Sequence, residues 1–163
     1  LYERHSAPGT YTEEILRGQL RSLRNNFPHA RIWVKTGPFR DLLPLFRVAA
    51  QERIDAVLVD GKEGGTGMSP VIALKDLGLP TLACLKRVND ARVEGLRTPF
   101  VLSGRLYDGG HVVKSLALGV TACAFGRPFI LAVGVGDLDY AALATLWEQW
   151  TGVTLSGQER AKE

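Results

Sequence analysis

The sequence is poor in cysteine, has almost no excess of either charge and contains no long apolar run. Only two cysteines occur in 163 residues, Cys84 and Cys123. Both lie in apolar surroundings and share no metal-ligand spacing, so they read as buried, reduced thiols. No stretch approaches the ~18 apolar residues of a membrane-spanning helix, and no signal-peptide pattern opens the chain. A cytoplasmic location is therefore expected, with no membrane partner. A start at Leu1 points to a fragment or a processed chain. The 20 basic and 17 acidic residues leave a formal charge of +3. The arginines are scattered and form no basic stripe, which argues against nucleic acid and leaves room for an anionic small ligand. There is no Ser-His-Asp arrangement and no His/Cys metal pattern. His29 follows Pro28 in a turn and reads as solvated. Long linkers and low-complexity segments are also missing. One domain over 1–152 is expected, with 153–163 as a disordered tail.

What is present is a rhythm. Thr10 to Glu13 has capping-box spacing, and Ile15, Leu16, Leu20, Leu23 and Phe27 follow as a helical stripe closed by Pro28. "ARIWVKTG" (30–37) reads as a strand. Asp41 to Ile54 reads as a helix with Pro44 in its first turn, where a missing N–H costs little. "DAVLVDG" (55–61) is the next strand. Ser69-Pro70 can start a helix ending near Gly78. Residues 79–97 fit either one amphipathic helix or a short strand and a helix. "TPFVLSG" (98–104), "GGHVVKSLALG" (109–119) and "VTACAFG" (120–126) read as strand, helix, strand. A helical segment then begins at "RPFILAV", and Asp137 caps a last helix through Trp150. The strands are apolar without strict alternation, which is the mark of a parallel sheet covered on both faces.

Every one of these strands ends in glycine: Gly37, Gly61, Gly104 and Gly126. Ligands of parallel α/β folds bind at the carboxyl ends of the strands. Glycine there either serves the turn itself or lets a ligand lie against backbone. The last two ends, Gly104 and Gly126-Arg127, have the arrangement by which barrel enzymes hold phosphate. Exposed backbone N–H groups and a helix end supply positive potential, and Arg127 adds a charged fork. His111 falls in the first turn of the helix after Gly104 and reads mainly as a surface residue.

The stretch "VDGKEGGTGMSP" (59–70) closely resembles the loop of the FMN-binding domain of glutamate synthase. "SGRLYDGGHVVKSLALGVTACAFGRPF" (103–129) resembles the flavin-phosphate region of that domain and of the wider FMN barrel group. "ERHSAP" (3–8) and "VKTG" (34–37) fit the glutamate synthase pattern too, over roughly residues 3–135 altogether. The resemblance implies a parallel β/α barrel of the TIM type that carries FMN. It implies reduction of 2-iminoglutarate, formed from 2-oxoglutarate and ammonia, to glutamate. It gives Lys35 the place of a lysine beside flavin and substrate carboxylate. Gly64, Gly65, Thr66 and Gly67 match the loop beside the flavin. Gly104 with Arg105, and Gly126 with Arg127, match the phosphate loops, and His5 lies in the family-like "RHS".

The chain departs from the family in three ways. A whole barrel needs about 250 residues; only four βα units are readable, so this is the C-terminal half, with a strand edge open on each side. A homo-oligomer or a partner chain completing the barrel is expected. The second glycine after the seventh strand is replaced by Arg105, and Tyr107-Asp108 follow, where a carboxylate would repel phosphate. No cysteine cluster follows the eighth strand, so no iron–sulfur centre is expected in this chain. Two alternatives stand beside the main reading. One is a degenerate, non-catalytic half-barrel that binds a partner chain or a phosphate ligand. The other is a different FMN barrel oxidoreductase, such as a 2-hydroxy acid oxidase, although "VDGKEGG" lacks the histidine base those enzymes use.

Overall fold

A computed structural model describes residues 12–64 and 76–126, and positions 128, 129, 132 and 149 singly. The chain divides into two compact units, Leu1–Ala124 and Phe125–Glu163, and every element named below lies in the first. The helix expected from Ser69, the stretch 1–9 and the tail 153–163 fall outside the described residues, as does nearly all of the helix expected from Asp137.

Helix α1 (Glu13–Asn26) is capped by Thr12, whose hydroxyl accepts from the Ile15 N–H at 3.4 Å. The cap is thus two residues beyond the Thr10 of the capping-box pattern. Strand β1 (Trp33–Thr36) leads to α2 (Leu42–Gln51), and β2 (Ala56–Asp60) leads to a short 3₁₀ turn, Lys62–Gly64. Helix α3 (Thr81–Val93) settles the ambiguity over 79–97 in favour of a single helix. Strand β3 (Phe100–Ser103), helix α4 (Gly109–Ala117) and strand β4 (Ala122–Ala124) complete the unit.

All three pairings are parallel, and the sheet order β1-β2-β3-β4 is the sequence order. A doubly wound sheet reverses its order at a switch point. An unbroken order is what the arc of a β/α barrel gives. Among the described residues, β1 and β4 each pair on one side only.

Side chains alternate across the sheet. Val57, Val59, Phe100 and Leu102 are buried in the core with Leu42, Phe46, Cys84, Leu85, Val88 and Ala91, and Val34 and Cys123 pack against it. This is the helix-covered face. The Phe46 and Phe100 rings meet at 4.6 Å between centroids, and the Arg92 guanidinium lies 4.7 Å over Phe100. Lys35, Leu58, Val101, Asp60 and Ser103 belong to the opposite face, which in a closed barrel is the interior. Among the described residues, no helix is long and apolar enough to cross a membrane.

Three helices end alike. Arg53, Gly95 and Gly119 have φ of 53°, 83° and 98°. The following N–H groups of Ile54, Leu96 and Val120 reach back to Ala49, Ala91 and Ser115 carbonyls at 2.9, 2.9 and 3.2 Å. These are left-handed helix ends, each delivering an apolar residue to the core before the next strand.

Candidate functional site

The carboxyl ends of β1 and β2 bring Lys35 and Asp60 together. Lys35 stands beside Leu58 in the register. Its long side chain reaches toward the carboxyl end, where Nζ lies 3.0 Å from Asp60 Oδ2. The lysine side chain is 66% exposed and the aspartate 18%, so the ammonium faces solvent while the carboxylate sits mostly inside. Asp60 Oδ1 is buried and has no hydrogen-bond donor among the described residues.

Three glycines lie at these strand ends, one against Asp60 and two against Thr81. A side chain at Gly64 would collide with Asp60 Oδ1. A Cβ at Gly61 would lie 2.6 Å from Thr81 Cα. Gly104, at φ +119°, likewise faces the Thr81 hydroxyl, with the Gly61 and Gly64 nitrogens 3.3 Å away from where its Cβ would be. The small residues at 61 and 104 therefore admit the N-terminus of α3 against the sheet edge. At Gly37 the ring of Phe39 fills that role at 3.4 Å.

Glu63 locks the arrangement. Its Oε2 accepts both the Thr81 N–H and the Thr81 hydroxyl at 2.8 Å. Burial pushes the Glu63 carboxyl up, but the two Thr81 donors, its own backbone N–H and Lys62 more than offset this and hold it below the usual range. Gly61 N–H donates to the Ser103 carbonyl at 2.9 Å, and Lys62 N–H to Leu79 at 3.1 Å. The 3₁₀ turn is thereby tied to β3 and to the start of α3. Behind it, the buried Cys84 thiol is pushed up to about 11, by burial first and then by the charges of Glu63 and Asp60. It is protonated at neutral pH and is not a nucleophile.

At the third strand end, Arg105 occupies the left-handed region at φ 48°, and its Nε donates to Tyr107 Oη at 2.6 Å. Asp108 caps α4, accepting the His111 N–H at 2.8 Å. That hydrogen bond is the leading cause that holds the Asp108 carboxyl below its ordinary range. His111 Nδ1 in turn accepts the Tyr107 N–H at 3.3 Å. The α4 N-terminus thus has its own anion. In the second unit, a Cβ built on Gly126 meets nothing within 4 Å.

Of the residues expected from sequence, Lys35, Gly64, Gly104 and Arg105 lie at neighbouring strand ends of the first unit. Gly126 belongs to the second unit, and Gly65, Thr66, Gly67 and Arg127 lie outside the described residues. Sequence reasoning missed Asp60, Glu63 and Thr81 as members of the site. Asp60 at the end of a strand whose neighbour carries a lysine was the available signal. Nothing local marks Thr81. No cluster of three or more metal-ligating side chains occurs among the described residues.

Residues 7–140 match the family described as the conserved region in glutamate synthase. A glutamate synthase large subunit-like protein of Rhizobium meliloti is 34% identical over 112 residues, covering 65% of this chain and 24% of the relative. An archaeal glutamate synthase [NADPH] of Methanocaldococcus jannaschii is 30% identical, covering 76% of this chain and 25% of the relative. The glutamate synthase [NADPH] large chain of Bacillus subtilis is 30% identical over 127 residues, 76% of this chain and 8% of its own length. Among solved structures, a mutant of FabK from Thermotoga maritima superposes with a TM-score of 0.51 at 20% identity, over 71% of this chain and 33% of that one. The chain thus spans a quarter or less of these curated relatives.

Proposed function

We propose a function from one premise: this chain belongs to the glutamate synthase family. It acts as the C-terminal half of a flavin-dependent oxidoreductase barrel that reduces 2-iminoglutarate, formed from 2-oxoglutarate and ammonia, to glutamate. The observation that carries the reading is the exposed Lys35 ammonium held 3.0 Å from Asp60 at the strand ends. It supports a site for a carboxylate and for an electron-rich ring.

The described residues suit FMN at its ring end. Lys35 is a cation on the interior face, and a fixed cation favours negative charge that builds up beside it. The bound flavin would supply the hydride. Lys35 orients the substrate carboxylate and Gly64 offers the ring a backbone surface; Gly65, Thr66 and Gly67 join this proposal on sequence grounds. Gly104 and Arg105 would serve the phosphate with backbone N–H groups and a guanidinium; Gly126 and Arg127 join this proposal on sequence grounds. The missing half of the barrel comes from another segment or another copy.

A second reading is favoured by one specific observation. Asp108 already places a carboxylate on the α4 N-terminus, as a degenerate half-barrel without a flavin would tolerate. Colour separates the two. The intact protein should carry or take up FMN, with absorbance near ~450 nm. Lys35→Ala should lower imino-acid reduction about 10²-fold, the usual scale for losing one electrostatic group. A colourless protein that takes up no FMN decides for the degenerate reading. Unchanged turnover in Lys35→Ala removes Lys35 from the chemistry.

A further inference from the structure

We infer that the amino ends of β1, β2 and β3 form a docking surface for an acidic segment of a partner protein. This face lies at the opposite end of the strands from Lys35 and Gly104, and the inference does not depend on the function proposed above.

Three arginines recur at one place in the fold. Arg31 precedes β1, Arg53 precedes β2 and Arg97 precedes β3, each in the connection that follows a helix. These strands are neighbours in the parallel sheet, about 4.8 Å apart, so the topology gathers the three connections at one end. All three residues are exposed. Among the described residues, no hydrogen bond or ion pair holds their side chains. Helix carboxyl ends draw cations, but that pull fades within the last turn, and Arg31 and Arg97 stand beyond it.

The nearby carboxylates are already committed. Asp55 accepts the Ile32 N–H at 2.7 Å and pairs with Arg24 at 3.1 Å. These bonds, with attraction from Arg24 and Arg31, outweigh burial and hold its carboxyl below the usual range. Glu52 is matched by Arg17 and Arg21, and Glu94 by Arg47. The Arg92 guanidinium is spent on the Gly119, Leu96 and Thr98 carbonyls and the Thr121 hydroxyl, none of them an anion. This end of the sheet therefore carries positive charge that the described acids beside it do not neutralise.

Arg53 supplies an independent observation. It holds φ 53°, the left-handed conformation that Gly95 and Gly119 take at the two matching helix ends. A glycine would serve that turn without strain. An exposed arginine kept there is a strained residue of the kind that gathers at functional surfaces. Protein carboxylates are the fitting counterpart. The guanidinium fork matches a carboxylate, and arginine is enriched at protein interfaces where lysine is depleted. A nucleic acid presents an unbroken row of phosphates, which would run against Asp55 and Glu94 beside the three arginines.

Fluorescence anisotropy of the intact protein with a labelled oligoglutamate peptide tests this. The wild type should bind the peptide at low salt and release it near ~1 M salt, where screening is nearly complete. Arg31→Gln, Arg53→Gly and Arg97→Gln should each weaken binding about two- to fivefold, the scale of one exposed ion pair. Together they should weaken it at least about tenfold. Arg40→Gln removes one positive charge from the connection after β1, at the other end of the sheet, and should leave the affinity unchanged. Arg53→Gly also controls for folding: relief of the left-handed strain should raise the melting temperature by about 1–4 °C while binding falls. Absence of binding by the wild type overturns the inference. So does an unchanged affinity in the folded triple variant, an equal loss in Arg40→Gln, or tighter binding of single-stranded DNA than of the peptide.

Discussion

Arg105 holds a backbone conformation that a side chain resists. At φ 48° a non-glycine residue costs about 1–2 kcal/mol relative to the right-handed region. The Arg105 side chain is exposed, and its Nε donates to Tyr107 Oη at the surface. Arg105→Gly should therefore raise unfolding stability by about 0.5–1 kcal/mol after the extra chain entropy of glycine, and Arg105→Ala should not. Urea titration of the two variants checks this, and a fall in stability for the glycine variant would contradict it. The sequence exposed the oddity, since a second glycine is expected after Gly104 in the family. It could not reveal that the arginine keeps the glycine's conformation. Lys35 was legible only through the family resemblance. Its partner was not, because the Lys35–Asp60 contact depends on the register that sets Lys35 beside Leu58.

Helix α3 illustrates what a local pattern hides. Thr81, Cys84, Leu85, Val88 and Ala91 are buried at helical spacing. Leu82 and Val93, at 74% and 80% exposure, put apolar residues on the outer face and blur the stripe that would have distinguished helix from strand. The N-terminus of α3 is equally non-local. Pro80 precedes it and makes no side-chain cap, so the capping carboxylate comes from Glu63 in the preceding turn. A carboxyl held low stabilises the fold above its ordinary value of 4.5 and loses that contribution as pH falls through the lowered folded value. Glu63→Gln should cost about 1 kcal/mol at neutral pH, the usual scale of a lost cap. It should also flatten the decline of stability below pH 4.5. Thermal melts from neutral to acid pH report both, and an unchanged acid slope would show that Glu63 does not carry it. Helix ends were more readable: Gly95 and Gly119 mark theirs, while Arg53 does the same work without the signal.

At the scale of the molecule, four strands, their order and their glycine ends were legible. Apolar runs alternating with helical segments leave few parallel arrangements. The links are unequal in length. β1 and β2 are joined through Thr36 to Ala56, β3 and β4 through Ser103 to Ala122, and β2 and β3 across the far longer span from Asp60 to Phe100. Closing a longer loop costs more entropy and comes later in folding. Backbone amides report each link. Asp55 N–H donates to Ile32 across the first, Thr121 N–H to Phe100 across the last, and Val57 N–H to Pro99 across the long one. In pulsed hydrogen exchange during refolding, Asp55 and Thr121 should gain protection before Val57; simultaneous protection would remove the distinction. The proposed ligand site is therefore assembled in two instalments. The Lys35–Asp60 ion pair comes with the early one. The turn that leans on Gly104 comes with the late one. A chain caught between them displays both charges without the backbone that seats a ligand on them, and binding competence becomes a late event in the life of each molecule.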